Sequence, residues 1–197
     1  PGAIENPSNG IDDDCDGTID AVTACDCPST VQLEEAMDLC VGLVSSAVSG
    51  PSSQVIDSFG LYSPQSGCWM TALSSGVIGG SVQNGMDFHP AGATGDTSTL
   101  ILSLEVPSWS SSFSFDFNFM SAEYPEFVGT QYNDTFETNV AGTAWTGNAA
   151  VDGAGNDITI NSALFSVTNP ADLQGTGFNN TGGGTGWMTT LVPVDPL

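Results

Sequence analysis

Lysine and arginine are missing altogether from the 197 residues, and histidine occurs once, at His89. The 23 Asp and Glu stand without counter-charge, for a formal charge of -23 at pH 7. An average domain is about a quarter charged, split between the signs. Here the charged fraction is 12%, so the anomaly is missing base, not added acid. Binding nucleic acid by phosphate neutralisation and docking on anionic lipid both need Lys or Arg, and both are excluded as partner classes. No Lys/Arg salt bridge can form either. Carboxylates brought close together must be relieved by protonation, by hydrogen bonds or by a metal ion. Trypsin-like proteases find no cleavage site, which suits a surface exposed to secreted proteases and equally a chain that is itself a proteolytic product. Long apolar runs are also missing: none approaches 18 residues, so no helical membrane insertion is expected. Pro1-Gly2-Ala3 lacks the basic start and apolar run of a signal peptide, so any export signal is expected to have been removed already.

What is present is enough to fold. An apolar fraction of 40% supports a sizeable core, and one main domain with a small appendage is expected. Five cysteines, Cys15, Cys25, Cys27, Cys40 and Cys68, lie within the first 68 residues. Such clustering in an acidic chain fits an oxidising compartment, so secretion to the extracellular space or cell surface is expected.

Composition divides the chain near residue 28. Residues 1–28 are crowded with Asp and Cys, poor in large apolar groups, and need crosslinks or metal to fold. The second segment, 29–197, opens with Ser29 and Gln32 in capping-box spacing. Leu33, Ala36, Met37, Cys40, Val41 and Val44 then recur at helical intervals, predicting one amphipathic helix over about Thr30–Val44. Gly50-Pro51-Ser52-Ser53 ends it. Thereafter strand signals dominate: Val55–Leu61, Leu100–Val106, Ser112–Met120, Thr135–Ala141, Asp157–Ile160, Ala163–Thr168 and Gly186–Val194. In the third of these, Phe113, Phe115, Phe117 and Phe119 alternate with Ser114, Asp116 and Asn118, which marks one face as core. Many short strands with turn-rich connections predict a mainly β fold of sandwich or jelly-roll type.

Asp12, Asp14, Asp16 and Asp20 take positions 1, 3, 5 and 9 of a calcium-loop spacing. Gly17 falls at the sharp turn and the Thr18 carbonyl at position 7. Alternate residues in a tight loop can turn oxygens toward one hard cation, and carboxylates packed so closely repel without one. Ca2+ is the expected cofactor. Position 12 is Thr23 and not a bidentate Glu, so an EF-hand is not expected. The plain alternative is a solvated acidic turn.

Pro1-Gly2-Ala3-Ile4-Glu5 followed by Asn9-Gly10-Ile11-Asp12-Asp13-Asp14-Cys15-Asp16-Gly17 resembles the MopE-type metal-binding repeat of bacterial surface proteins. In many such repeats a Cys precedes the N-G-I-D segment, where Pro7 and Ser8 stand here. The resemblance leaves Cys15 without its usual partner, for which Cys25 or Cys27 could substitute. An odd number of cysteines predicts two disulfides and one leftover thiol, or an intermolecular bond. A zinc site from these cysteines is a weaker alternative.

A second dense constellation runs from Phe119 through Glu123-Tyr124-Pro125-Glu126-Phe127-Val128-Gly129 to Asn133-Asp134-Thr135-Phe136. Glu123, Glu126, Asn133 and Asp134 supply oxygens in one loop between strands, which suits either calcium or a hydrogen-bonded loop clamp. The segment resembles the hallmark F-x-S-E-E-Y-P-E-Y-V-G-S-x-F-N-D-x-F of the choice-of-anchor L domain, an extracellular β domain of bacterial surface proteins. The looser likeness extends from Ala36 to Leu191. Ala122 departs from the family, which has an acid there. The resemblance also implies a last strand beyond Val192-Pro193-Val194, where this chain reaches Leu197. Such an unfinished sheet is either completed by a neighbour's strand, giving a filament, or simply lacks that strand.

Enzyme readings fare worse. His89, in Asp87-Phe88-His89-Pro90, is the one conventional general base, and no G-x-S-x-G elbow accompanies it. Glu123 and Glu126 with Trp69, Trp109, Trp145 and Trp187 could form a sugar-binding or glycosidase face, although scattered aromatics more often build core. Gly182-Gly183-Gly184 reads as a mobile loop and not as a phosphate cradle, having neither Lys nor a strand-loop-helix context. The expected function is therefore an extracellular, calcium-binding structural or adhesive surface protein that associates with itself or with other surface proteins. The alternative is a calcium-dependent carbohydrate-binding module. No enzymatic activity is expected.

Overall fold

The computed structural model describes residues 10–12, 32–39, 42–78 and 97–196. Ten strands form over these residues: β1 Leu43–Ser49, β2 Ser52–Ile56, β3 Met70–Ser74, β4 Thr99–Leu104, β5 Ser112–Ser121, β6 Thr135–Phe136, β7 Asn139–Ala141, β8 Thr146–Asn148, β9 Ile158–Thr159 and β10 Gly183–Pro193. They pair antiparallel in five two-stranded sheets: β1 with β4, β2 with β3, β5 with β10, β6 with β9 and β7 with β8. The fold is mainly β with almost no helix.

The helix expected over Thr30–Val44 is not formed by the described residues. They hold one 3-10 turn, Glu35–Met37, whose entry is fixed by the Gln32 N–H donating to the Glu35 carboxylate at 2.8 Å. Asp38 then adopts a left-handed conformation, φ 61°, which ends the turn. Leu33, Ala36 and Met37 do keep helical spacing for that turn, and Ala36 is buried. From Leu43 the β-branched residues Val44 and Val48 prefer a pleated surface, and the segment pairs with β4. The expected 28/29 boundary lies outside the described residues.

β5 and β10 are the long strands, and the Phe alternation does define the core face. Phe117 stacks on Phe136 with ring centroids 4.4 Å apart. Ala150 and Ile158 are buried with Phe117, and Phe115, Phe119, Leu164 and Met188 pack against them. Phe119 meets Phe165 edge to face at 5.6 Å. The opposite face of β5 is polar, as its sequence requires: Asp116 accepts a hydrogen bond from the Thr189 hydroxyl across the ladder.

The glycine run corrects the sequence expectation. Gly183 and Gly184 are buried inside β10, whose start is earlier than the expected Gly186. A Cβ on Gly183 would lie 2.7 Å from a Phe165 ring carbon and 3.0 Å from Tyr124, so only glycine lets the strand pass. The register shifts between Gly184 and Trp187, and there the Thr185 hydroxyl accepts the Phe119 N–H at 3.1 Å in place of a ladder carbonyl. Ala163–Thr168, expected as a strand, is a turn: the Phe165 N–H bonds Ser162 O and only Val167 bridges, to Gly184. Val55–Leu61 likewise stops being strand at Ile56. Gly60 then turns tightly, φ 62°, where a Cβ would sit 2.5 Å from Gln174 O. Beside it, burial pushes the Tyr62 hydroxyl above its usual range.

Candidate functional site

The loop between β5 and β6 carries the densest set of predicted site residues. It begins at Ser121, 3% exposed at the end of β5. The Ser121 hydroxyl accepts the Glu123 N–H at 3.0 Å and donates to the Asp134 carboxylate. The Asp134 N–H returns toward the Glu123 carboxylate at 3.4 Å. Three residues thus close a ring of hydrogen bonds between the two ends of the loop. Asp134 O also accepts the Ile160 N–H at 3.2 Å, which ties the ring to the end of β9.

A second staple holds the loop's far side. Asn161 donates from its amide nitrogen to Asn133 Oδ1 at 2.7 Å, and its own Oδ1 accepts the Gly129 N–H at 2.6 Å. Between the staples the Tyr124–Pro125 peptide is cis. The Tyr124 ring packs on Phe165 at 5.1 Å, and Phe127 meets Tyr132 edge to face at 5.3 Å. Glu126 is exposed on the loop. Of the two expectations for this segment, calcium or a loop clamp, the hydrogen bonds of the clamp are present. Among the described residues no group of three or more His, Cys, Asp or Glu side chains converges as a metal ion would require. Each of the Glu123 and Asp134 carboxylates accepts a hydrogen bond from within the protein.

A polar groove of about 300 Å3 lies nearby, lined by Asp152, Asn156, Asp157, Thr159, Asn161, Ser162 and Ala163. Its acids are engaged. Asp152 Oδ1 accepts the N–H groups of Ala154 at 2.8 Å and Asn156 at 2.9 Å, and the Asn156 amide donates to its Oδ2 at 3.0 Å. The Asn156 side chain, then the surrounding backbone N–H groups, hold the Asp152 carboxyl below its usual range. Asp157 accepts from Asn148 at 3.1 Å.

Comparison with protein-family models, curated proteins and solved structures finds no match.

The remaining predicted residues divide simply. Asp12 is described and half-buried, whereas Asp14, Asp16, Thr18 and Asp20 lie outside the described residues. So do Cys15, Cys25, Cys27, Cys40 and His89. Cys68 is disulfide-bonded. The four tryptophans do not make one open platform. Only Trp109 is exposed, at 36%, while Trp69, Trp145 and Trp187 are half-buried. The Trp69 indole nitrogen is buried without a hydrogen-bond partner.

Two residues that hold the loop were not singled out in the sequence. Ser121 ends a strand whose alternation drew attention to its phenylalanines. Asn161 acts on Asn133 from 28 positions away, a separation across which no local pattern operates.

Proposed function

We propose that this chain is a structural or adhesive element of an extracellular surface. Its Asp12–Asp20 segment takes Ca2+, and its β domain displays a stable anionic face. The observation that carries this reading is the D-x-D-x-D-G-x-x-D spacing in a chain without a single Lys or Arg. Four carboxylates at that spacing repel one another, and in a chain without Lys or Arg a hard divalent ion is a strong neutraliser. The resemblance to a MopE-type repeat followed by a choice-of-anchor L domain points the same way. The sandwich or jelly-roll arrangement belongs to the same proposal, with support from the short antiparallel pairs around a phenylalanine core. Secretion and self-association complete it.

The proposal places calcium at the Asp12–Asp20 spacing and not at Glu123, Glu126, Asn133 and Asp134, whose loop is supported by the hydrogen bonds of Glu123, Asn133 and Asp134. The carbohydrate-binding alternative has one observation in its favour, the polar groove beside Asn161. Among the described residues that line the groove none is aromatic, and Asp152 there accepts hydrogen bonds from within its own turn.

Isothermal titration with Ca2+ tests the reading. Binding should be saturable, should be lost in Asp14→Asn/Asp16→Asn, and should survive Glu123→Gln. Heat exchange that is unchanged in Asp14→Asn/Asp16→Asn would sink the calcium assignment. Saturable binding on a glycan array, abolished by substitution in the groove, would favour the alternative.

A further inference from the structure

Cys68 is the one cysteine among the described residues, and it is disulfide-bonded. Its partner is therefore one of Cys15, Cys25, Cys27 and Cys40. Two segments of the chain meet beside it. The Thr71 hydroxyl donates to Leu33 O, and a Cβ on Gly67 would lie 3.3 Å from the Asp38 carboxylate. The chain thus contacts Thr71 at Leu33 before it contacts Gly67 at Asp38. Cys15, Cys25 and Cys27 all precede Leu33 in sequence, whereas Cys40 follows Asp38 by two positions and Cys68 follows Gly67 by one. Two steps along a chain span at most about 7 Å, and a disulfide needs Cα atoms about 4.4–6.8 Å apart. Cys40 itself lies outside the described residues, but Leu39 and Gly42 on either side of the 40–41 pair are described. Gly42 is anchored, since its carbonyl accepts the Glu105 N–H at 2.7 Å. Covalent connectivity between Asp38 and Gly42 therefore holds Cys40 close to the Gly67–Cys68 corner.

We propose that Cys40 and Cys68 form a disulfide, and that this bond is a redox-sensitive staple between the entry to β1 and the entry to β3. It closes a loop that contains β1 and β2, and such a crosslink stabilises by restricting the unfolded chain. Cys68 is exposed, and exposed disulfides are more readily reduced than buried ones. Formation passes two electrons and two protons from the Cys40 and Cys68 thiols to a disulfide-bearing oxidant, which leaves as two thiols. Reduction by a dithiol runs the same exchange backwards. The hydrogen bonds Thr71 to Leu33 O and Glu105 N–H to Gly42 O then hold the segment without covalent help. The pairing also leaves Cys15, Cys25 and Cys27 to one another, so the N-terminal segment is not crosslinked to the β domain through Cys68. It goes beyond the calcium reading and does not depend on it.

Peptide mapping of the unreduced full chain tests the pairing. Trypsin has no Lys or Arg to cut after, so pepsin at low pH serves, where too little thiolate remains for disulfide exchange. Mass spectrometry should find Cys40 and Cys68 in one joined peptide pair. A pair that joins Cys68 to Cys15, Cys25 or Cys27 would overturn the proposal, as would a Cys68 that is alkylated without reduction. In Cys68→Ser, iodoacetamide should newly label Cys40 in the unreduced protein, and new label at Cys25 or Cys27 instead would count against the pairing. The wild-type map needs no variant and decides even if Cys68→Ser misfolds. For the staple, dithiothreitol should lower the urea midpoint of the wild type more than that of Cys40→Ser/Cys68→Ser. Equal shifts in the two proteins would mean that the bond does not hold the β domain, and the redox-sensitive role would fall.

Discussion

At Glu123 and Asp134 substitution separates two roles that composition alone cannot. A metal ligand depends on carboxylate charge, whereas a clamp depends on an acceptor oxygen at the right place. Glu123→Gln and Asp134→Asn keep that oxygen and should change stability little. Asp134→Ala leaves the buried Ser121 hydroxyl without its acceptor and should cost about 1–3 kcal/mol in urea denaturation. Equal losses for amide and alanine variants would contradict the clamp. Asp152 gives a pH test. Its carboxyl is held below the ordinary 3.8, chiefly by Asn156, so the folded state binds the proton less readily than the unfolded chain. The resulting stabilisation is present above the ordinary value and is lost as pH falls through the lower, folded one. Asp152→Asn should flatten the urea midpoint over that acidic interval, and a midpoint profile identical to wild type would remove the effect. The sequence marked Glu123, Asn133 and Asp134 as acting together because they share one loop. Their partners Ser121 and Asn161 come from a strand end and a distant turn, and only the assembled fold brings them near.

Packing at the level of strands turns on Gly183 and the phenylalanines it passes. Gly183→Ala drives a methyl group to 2.7 Å from the Phe165 ring. The β10 backbone or the ring must shift, at a cost of about 1–3 kcal/mol. Gly153→Ala is the matched control: its Cβ meets nothing within 4 Å, so it should be neutral or stabilising by up to about 1 kcal/mol. Guanidinium denaturation of the two variants decides, and equal midpoints would mean that the Gly183 site is looser than its geometry. This contrast also explains which elements could be read in advance. The Phe113–Phe119 alternation is a period-2 signal with one buried face, and it located β5 and the core. β1, β3 and β8 escaped because Leu43–Ser49, Met70–Ser74 and Thr146–Asn148 mix Ser, Thr, Ala and Gly with few large apolar groups. Helical spacing around Ala36 was genuine for one turn. It could not reveal that Asp38 turns left-handed and that the segment from Leu43 pairs with a strand more than fifty positions away. Glycine-rich sequence at 182–184 looked like a loop because glycine usually marks one, whereas here close aromatic contact demands it.

Electrostatics of the whole molecule has one sign. With 23 acids and no Lys or Arg, nearly every long-range charge interaction within the fold is repulsive, and compaction brings the charges closer than they are in the unfolded chain. Screening should therefore stabilise the protein: its urea midpoint should rise with NaCl, most steeply at low salt, and then level off as the Debye length falls below the spacing of surface charges. A protein held by surface ion pairs would respond in the opposite direction. Divalent ions add a second, separable effect. At matched ionic strength Mg2+ and Ca2+ screen alike, but oxygen ligands at calcium-loop spacing favour the larger ion, since Mg2+ demands tight octahedral geometry and dehydrates reluctantly. Ca2+ should raise the midpoint beyond Mg2+ by RT ln(1 + [L]/Kd), about 2.7 kcal/mol when free Ca2+ is a hundredfold above Kd. Asp14→Asn/Asp16→Asn should abolish that difference while leaving the NaCl response intact. Identical midpoints in Ca2+ and Mg2+ would reduce the acidic loop to one more patch of screened charge, and a midpoint that falls with NaCl would show that repulsion does not limit the stability of this chain.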